Sequence, residues 1–224
     1  MRYNTHMKPV VGIFAHPDDE AFGPGGTLAM LAKEREVYLI CVTNGEAGMN
    51  SSQKTHKLAD IRREELLKSA KILGVKEVFF LGYKDGTLCN NLYHEVAEKI
   101  KDVLEEIKPE IIITHDMRGG SGHLDHIATA MISSFVFQKI DIVREIWYHV
   151  TTLNARKSFH NYFVFVPPGY KKSEISKVIN IEAVWEQKLE AMHQHESQKH
   201  DIDKLLARFK NLPREDNFVI VKKY

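Results

Sequence analysis

The sequence predicts an α/β fold built on a doubly wound, mostly parallel sheet, and three observations carry that prediction. Short apolar runs alternate with amphipathic helical stretches four times along residues 9–138. The runs are continuously apolar, as strands covered on both faces are. Each also ends in a glycine-containing or carboxylate-rich loop, at the strand terminus where open α/β sheets bind ligands.

The first strand, Pro9 to Phe14, leads into Ala15-His16-Pro17-Asp18-Asp19-Glu20. Pro17 disfavours helical backbone at His16, so His16 and Asp19 share a turn and can converge on one point. The cluster Phe22 to Gly26 permits tight backbone, and Thr27 is a candidate N-cap for a helix over Leu28 to Glu36. These glycines fit neither GxGxxG nor a P-loop, which argues against a nucleotide site. Val37 to Thr43 is the second strand, followed by Thr43-Asn44-Gly45-Glu46-Ala47-Gly48. Lys54 to Leu73 has the helical period and Gly74 as its stop.

Val78 to Leu81 is the third strand, with a turn over Gly82 to Thr87, then a helix from Tyr93 to Ile107 that Pro109 ends. Glu110 to Thr114 is the fourth strand and delivers the richest ligand cluster of the chain, His115 to His126. His126 opens a helix that runs to about Gln138. Beyond it the pattern loosens: Ile142 to Thr152 and Tyr162 to Val166 read as strands, Ile181 to Gln194 as a helix and Phe218 to Val221 as a closing strand. The tract His193 to Gln198 reads as a polar helix end rather than a metal tract, since no strand presents it to the other ligands.

The histidines and carboxylates that follow the first and fourth strands suit one zinc-type cation. His16 and Asp19 are two ligands, too few to hold it, and His126, at the start of a helix that can hold its ring by packing, is the third. Three protein ligands leave room for water, which is the catalytic arrangement; a closed structural site would use cysteine thiolates. Asp18, beside a ligand but diverging from it, is placed to take a proton from the attacking water. His123, nearer the glycine loop, is the residue to stabilise the oxyanion in its charged form and protonate a departing amine, with Asp125 orienting or electrostatically supporting it. The chemistry these residues predict is metal-assisted amide hydrolysis, and zinc, iron(II) and cobalt(II) all tolerate the ligand set.

Composition narrows the class. The chain has 224 residues, 43% hydrophobic, with a formal charge of only +1, enough for a full core and without the electrostatic footprint of a nucleic-acid or anionic-membrane partner. Two cysteines, Cys41 and Cys89, make no disulfide framework, and the N-terminal apolar run is too brief for a signal peptide or a membrane span. The expectation is a cytoplasmic, soluble protein.

Taken together, Ala-His-Pro-Asp-Asp-Glu at 15–20 and Gly-His-Leu-Asp-His at 122–126 resemble the paired signature of the PIG-L-type (LmbE-like) zinc-dependent N-acetylglucosaminyl deacetylases. The likeness extends through residues 43–48, Arg62-Arg63-Glu64-Glu65, Leu73-Gly74-Val75, residues 81–86 and His195-Glu196-Ser197-Gln198. It implies His16, Asp19 and His126 as metal ligands, Asp18 as general base, and His123 as acid or oxyanion partner supported by Asp125. It also implies a Rossmann-like three-layer sandwich forming one domain over 1–224, with the metal site in 1–140 and a variable substrate-shaping part in 141–224, and frequent homo-oligomers. Substrates implied are N-acetylated amino sugars linked to inositol or malate, in chitin-derived disaccharides, or on glycosylated natural products. Arg62 and Glu65 match the family's buried pair and are expected to brace loops. One departure is Leu124, where the family usually has proline; it leaves the backbone between His123 and Asp125 freer.

Two other readings compete. A metal-dependent phosphoesterase would more commonly employ two bridged ions, and ligands for only one are found. A non-catalytic module binding a sugar or nucleotide would show affinity without turnover.

Overall fold

In the computed structural model, residues 7–48, 55–157 and 165–223 are described. Seven strands form one sheet in the order β3-β2-β1-β4-β5-β7-β6. β1 (Val10–Phe14), β2 (Val37–Thr43), β3 (Glu77–Tyr83), β4 (Ile111–His115) and β5 (Glu145–Val150) run parallel to their neighbours. β7 (Glu215–Lys222) is antiparallel to β5 and to β6 (Lys177–Asn180). After β1 the chain lays down β2 and β3 on one side, then returns to place β4 on the other. The crevice at the carboxyl ends of β1 and β4 is therefore a topological switch point, the position where such sheets hold ligands.

Helices cover both faces, giving the three-layer sandwich. α1 (Asp19–Phe22), α2 (Gly25–Leu31), α3 (Thr55–Leu73) and α7 (Trp185–His193) lie together on one face, with α8 (Lys199–Phe209) packed on α7. α4 (Tyr93–Ile107) and α5 (Leu124–Lys139) cover the other, and a one-turn helix, α6 (Leu153–Arg156), follows β5. Side chains of β1 divide accordingly: Val10 and Phe14 join Leu39, Trp147, Trp185 and Phe218, while Val11 and Ile13 join Ile40, Ile112, Ile146 and Val136. The central strands are buried along their whole length, which is why their sequences run apolar without alternation.

Boundaries follow local chemistry. α3 stops at Gly74, whose φ of 81 only glycine adopts cheaply, and Val75 N–H closes the turn on Ala70 C=O at 2.9 Å. α4 spans the expected residues and ends where Lys108 takes a left-handed C-cap ahead of Pro109. Other expectations shift. The helix expected over Leu28 to Glu36 is α2, which starts at Gly25 and ends at Leu31, and a short α1 precedes it. Thr27 is no cap: its N–H and Oγ1 both donate to Asp216 Oδ2, at 2.8 Å each. The helix after β4 begins at Leu124, with His123 as N-cap, because the ring of His123 accepts the N–H of Asp125. Of the strand expected over Tyr162 to Val166, residues 162–164 lie outside the described residues and 165–166 are not in a strand. β6 and α8 were not anticipated; β6 is short and largely exposed, so its sequence lacks an apolar run.

A buried ion pair ties the C-terminal elements to the loop after β1. Lys188 Nζ on α7 donates to Asp216 Oδ1 on β7 at 3.1 Å and to Gly23 C=O at 2.5 Å, and both side chains are almost fully buried. Removing one member of such a pair leaves a buried charge uncompensated. Asp216→Asn is expected to destabilise the fold by about 3–5 kcal/mol in urea unfolding. A loss below about 1 kcal/mol would show that the pair is solvated in solution. Leu124 offers the opposite case. It is 71% exposed at the first position of α5, and His123 before it has φ −63 and ψ 131, the backbone a residue before proline prefers. Leu124→Pro should raise stability by about 0.4–1 kcal/mol through the unfolded chain, and a fall in Tm would refute this.

Candidate metal centre and its surroundings

The loop after β1 is folded by its own carboxylates. His16 N–H donates to Asp19 Oδ2 at 2.8 Å, which turns both side chains toward the switch point. Between them Asp18 has φ 120 and ψ −27, a backbone conformation that costs an L-residue about 1–3 kcal/mol and persists only where the surroundings enforce it. Here they do. Asp18 N–H donates to Glu20 Oε2 at 3.0 Å, and Asp18 C=O accepts Ala21 N–H at 3.0 Å and Phe22 N–H at 2.9 Å. Arg62, buried on α3, donates from Nη2 to Asp18 Oδ2 at 2.8 Å and to Pro17 C=O, and from Nη1 to Gly45 C=O at 2.7 Å.

The loop after β4 brings His126 against this turn. His16 Nδ1 and His126 Nε2 are 3.0 Å apart, His126 Nε2 is 3.2 Å from Asp19 Oδ1, and His16 Nδ1 is 3.5 Å from Asp19 Oδ2. Two nitrogen or oxygen ligands at about 2.0–2.1 Å from a tetrahedral cation lie about 3.3 Å apart, so the three side chains have the spacing of a ligand set. Their outer atoms are anchored. His126 Nδ1 donates to Gly119 C=O at 2.9 Å, which turns the Nε2 lone pair inward. His16 Nε2 faces Asp85 Oδ1 at 3.1 Å and Asp125 Oδ2 at 3.3 Å, which turns the Nδ1 lone pair inward as well. Two imidazole lone pairs facing each other across 3.0 Å demand a proton or a cation between them, and the donor set fits a divalent metal ion.

Asp125 supports His123, as expected, and does more besides: its carboxylate accepts Gly86 N–H at 2.7 Å and Leu88 N–H at 3.1 Å, contacts the His16 ring, and favours the charged form of His123. Its link to His123 is through the backbone: Asp125 N–H donates to His123 Nδ1 at 3.1 Å, which leaves Nε2 as the N–H of the neutral ring. The His123 ring lies edge-on to His16, with centroids 4.7 Å apart, and 5.1 Å from His126, so it borders the ligand set. Ligating atoms of His16, His123 and His126 all fall within 4.8 Å of one another, as do those of Asp19, His115 and His126 and those of His16, Asp85 and Asp125.

Burial and neighbours set the charges. Burial works against a charged His16, yet its contacts with Asp125, Asp19 and Asp85 outweigh it and hold the ring's pKa well above the ordinary value. For Asp19 burial is likewise overcome, by His126 and His115, and the carboxyl is held well below its usual range. Asp18 differs: burial pushes its carboxyl up to about 7, against the pull of Arg62. His123 is lowered by burial and then by His16 and His126. His115, stacked face to face on His126 at 4.0 Å, is pushed down to about 4 by burial and by His126.

Two residues around the centre, Asp85 and His115, were given no role beforehand, whereas Arg62 and Glu65 brace loops as expected. Asp85 lies in the turn after β3, on the same rim as the other loops, and that position was the available signal. His115 is the last residue of β4, and its Nε2 accepts Ala15 N–H at 3.2 Å. Glu65 accepts Ser197 N–H at 2.8 Å and Ser197 Oγ at 2.6 Å, so it fastens a C-terminal turn while Arg62 fastens the loops after β1 and β2. His195 lies just past the end of α7, as expected of its tract, but it is fully buried there, with Nε2 2.8 Å from Glu20 Oε1.

Comparison with known proteins accounts for this arrangement. Residues 11–136, from β1 through most of α5, match the family model PIG-L, described as GlcNAc-PI de-N-acetylase. A 1D-myo-inositol 2-acetamido-2-deoxy-alpha-D-glucopyranoside deacetylase of Corynebacterium diphtheriae is 30% identical over 197 residues, covering 78% of this chain and 67% of that protein. A probable N-acetyl-alpha-D-glucosaminyl L-malate deacetylase 2 of Bacillus anthracis is 31% identical over 195 residues, covering 84% of this chain and 80% of that one. Among solved structures, the N,N'-diacetylchitobiose deacetylase of Pyrococcus horikoshii superposes with a TM-score of 0.72 at 25% identity, covering 97% of this chain and 85% of that chain. GalB, a 4-carboxy-2-hydroxymuconate hydratase of Pseudomonas putida KT2440, shares the fold at 18% identity with a TM-score of 0.74, covering 97% and 98%. By the family match across more than half of its length, and by the loops that the match contains, the chain belongs to the PIG-L family.

Proposed function

We propose that the protein hydrolyses the N-acetyl amide of an N-acetylglucosamine-containing small molecule, with a divalent cation, zinc, held by His16, Asp19 and His126. The observation that carries this reading is that His16 Nδ1 and His126 Nε2 lie 3.0 Å apart, each with an oxygen of the Asp19 carboxylate within 3.5 Å and its outer nitrogen anchored, with Asp18 alongside. The relatives named as deacetylases of inositol-linked and malate-linked amino sugars give the substrate class. When bound, the cation supplies Lewis acidity toward the acyl oxygen and acidifies the attacking water.

The chain's own groups do the rest. Asp18, held in place by Arg62 and raised toward neutrality by burial, takes a proton from the attacking water. Asp85 and Asp125 keep His16 in its ligating tautomer. His123 presents its Nε2–H toward the oxygen on which negative charge develops. With Nδ1 accepting Asp125 N–H, Nε2–H is the group His123 has to offer that oxygen. Asp18 then returns its proton to the departing amine, and water has been added across the C–N bond with acetate and a free amine as products. In this reading the amine takes its proton from Asp18, where the sequence alone suggested His123.

Amine release from free N-acetylglucosamine, its inositol and malate conjugates and diacetylchitobiose, measured alongside bound metal per chain, tests the assignment. Asp18→Ala should keep its cation and lose roughly 10²–10⁴ of its rate. Metal loss in that variant would mean that the roles of Asp18 and Asp19 are exchanged. His126→Ala should lose the cation, whereas His123→Ala should retain it and slow by roughly 10²–10³. Equal metal loss in both would end the division of labour, and silence of the metal-loaded wild type on the whole panel would end the deacetylase reading.

A further inference from the structure

The buried pair of Glu20 and His195 takes no part in the chemistry above, yet it lies directly under Asp18. We propose that Glu20, clamped by His195 and Ser69, is the positioning residue that forces Asp18 into its positive-φ conformation and so aims the general base. This rests on the reading of Asp18 as the group that takes the water's proton.

The argument begins with where a buried N–H can go. At φ 120 the Asp18 N–H turns into the protein beneath the loop, and Glu20 Oε2, at 3.0 Å, accepts it. The other oxygen, Oε1, is held by Ser69 Oγ of α3 at 2.5 Å and by His195 Nε2 at 2.8 Å. Glu20 is 1% exposed, Ser69 and His195 fully buried, so no solvent competes for these bonds. His195 comes from the far end of the chain, in the turn after α7 that leads into a 3-10 helix over Glu196–Gln198, and packs against the ring of Phe22 with centroids 5.8 Å apart. Among the described residues its Nδ1 has no hydrogen-bond partner, so the polar contact that places this imidazole is the one to Glu20. The orientation of Glu20 is thereby fixed from α3 and from the turn after α7 at once.

Without that acceptor the Asp18 N–H would be buried and unpaired, and the loop has a cheap escape: Asp18 can relax to negative φ, which swings its carboxyl away from the water it must deprotonate. The ligands need not follow, because His16 and Asp19 are joined by their own bond from His16 N–H to Asp19 Oδ2. Glu20 therefore governs rate and not metal affinity.

The test pairs coordinates with kinetics. In a crystal structure of Glu20→Ala, Asp18 should leave the positive-φ region; Asp18 still near φ 120 would overturn the proposal whether or not the protein is a deacetylase. In solution, Glu20→Ala should lose roughly 10–100-fold in kcat, the cost of a misplaced catalytic group, with KM nearly unchanged and metal still bound. Glu20→Gln, whose amide oxygen can accept the same N–H, should recover most of the rate. Introduced into Asp18→Ala, Glu20→Ala should cost nothing more, since there is no base left to aim. An equal further loss in that background would show a merely structural role. Should Glu20→Ala fail to fold, His195→Phe serves in its place, with the same expected relaxation of Asp18 and the same overturning result. A wild type that releases no amine would remove the function and leave the backbone prediction standing.

Discussion

The structure depends on keeping two imidazole nitrogens, His16 Nδ1 and His126 Nε2, face to face at 3.0 Å in a buried crevice. Bare lone pairs at that separation repel, and one proton shared between them is a poor substitute for a cation. The surroundings sharpen the demand. Asp18, Asp19, Asp85 and Asp125 crowd the same crevice, and Arg62 answers Asp18 alone with a direct ion pair. Burying so much negative charge is costly unless positive charge is buried with it. A divalent ion held as proposed by His16, Asp19 and His126 would supply it.

The rest of the architecture serves that constraint. β1 and β4 are neighbours in the sheet although α1 to α4 and two strands separate them in sequence, and this crossing brings His16 and His126 together. The parallel register aligns their carboxyl ends, so the two ligand loops start at the same height. Arg62 then stitches the loops after β1 and β2, and Asp125 stitches the loop after β3 to the start of α5. Every tie is a hydrogen bond between a charged side chain and backbone, a type stronger than neutral pairs and directional enough to fix a loop. What results is a set of ligands held by their neighbours before any cation arrives.

How much of this could be read from the sequence divides along physical lines. The parallel core was legible because strands covered on both faces must be continuously apolar, and β2 and α4 fall on the expected residues. The loops following β1 and β4 were legible because metal ligation needs particular residue types, and His16, Asp19 and His126 do converge. Contacts between charges distant in sequence were not legible. Asp125 supports His123 as expected, through its backbone N–H and its charge, but that its carboxylate also reaches His16 was not legible, since the start of α5 turns it inward. His195 read as part of a polar helix end because it sits among polar residues, and only the fold shows it buried against Glu20. β6 escaped because an exposed edge strand need not be apolar.

Fold alone does not select the chemistry: GalB, named as a hydratase, superposes on this chain as well as the chitobiose deacetylase does. The selection must lie in the crevice, and there the chain separates two tasks physically. Ligand geometry is set within residues 16–126, by bonds among the loops at the strand ends. The strained posture of Asp18 draws in addition on α3 and on a turn from the last third of the chain, through Ser69 and His195. If Asp18 is the base and His16, Asp19 and His126 the ligands, as proposed, substitutions in the C-terminal elements retune the posture of Asp18 without touching the ligands.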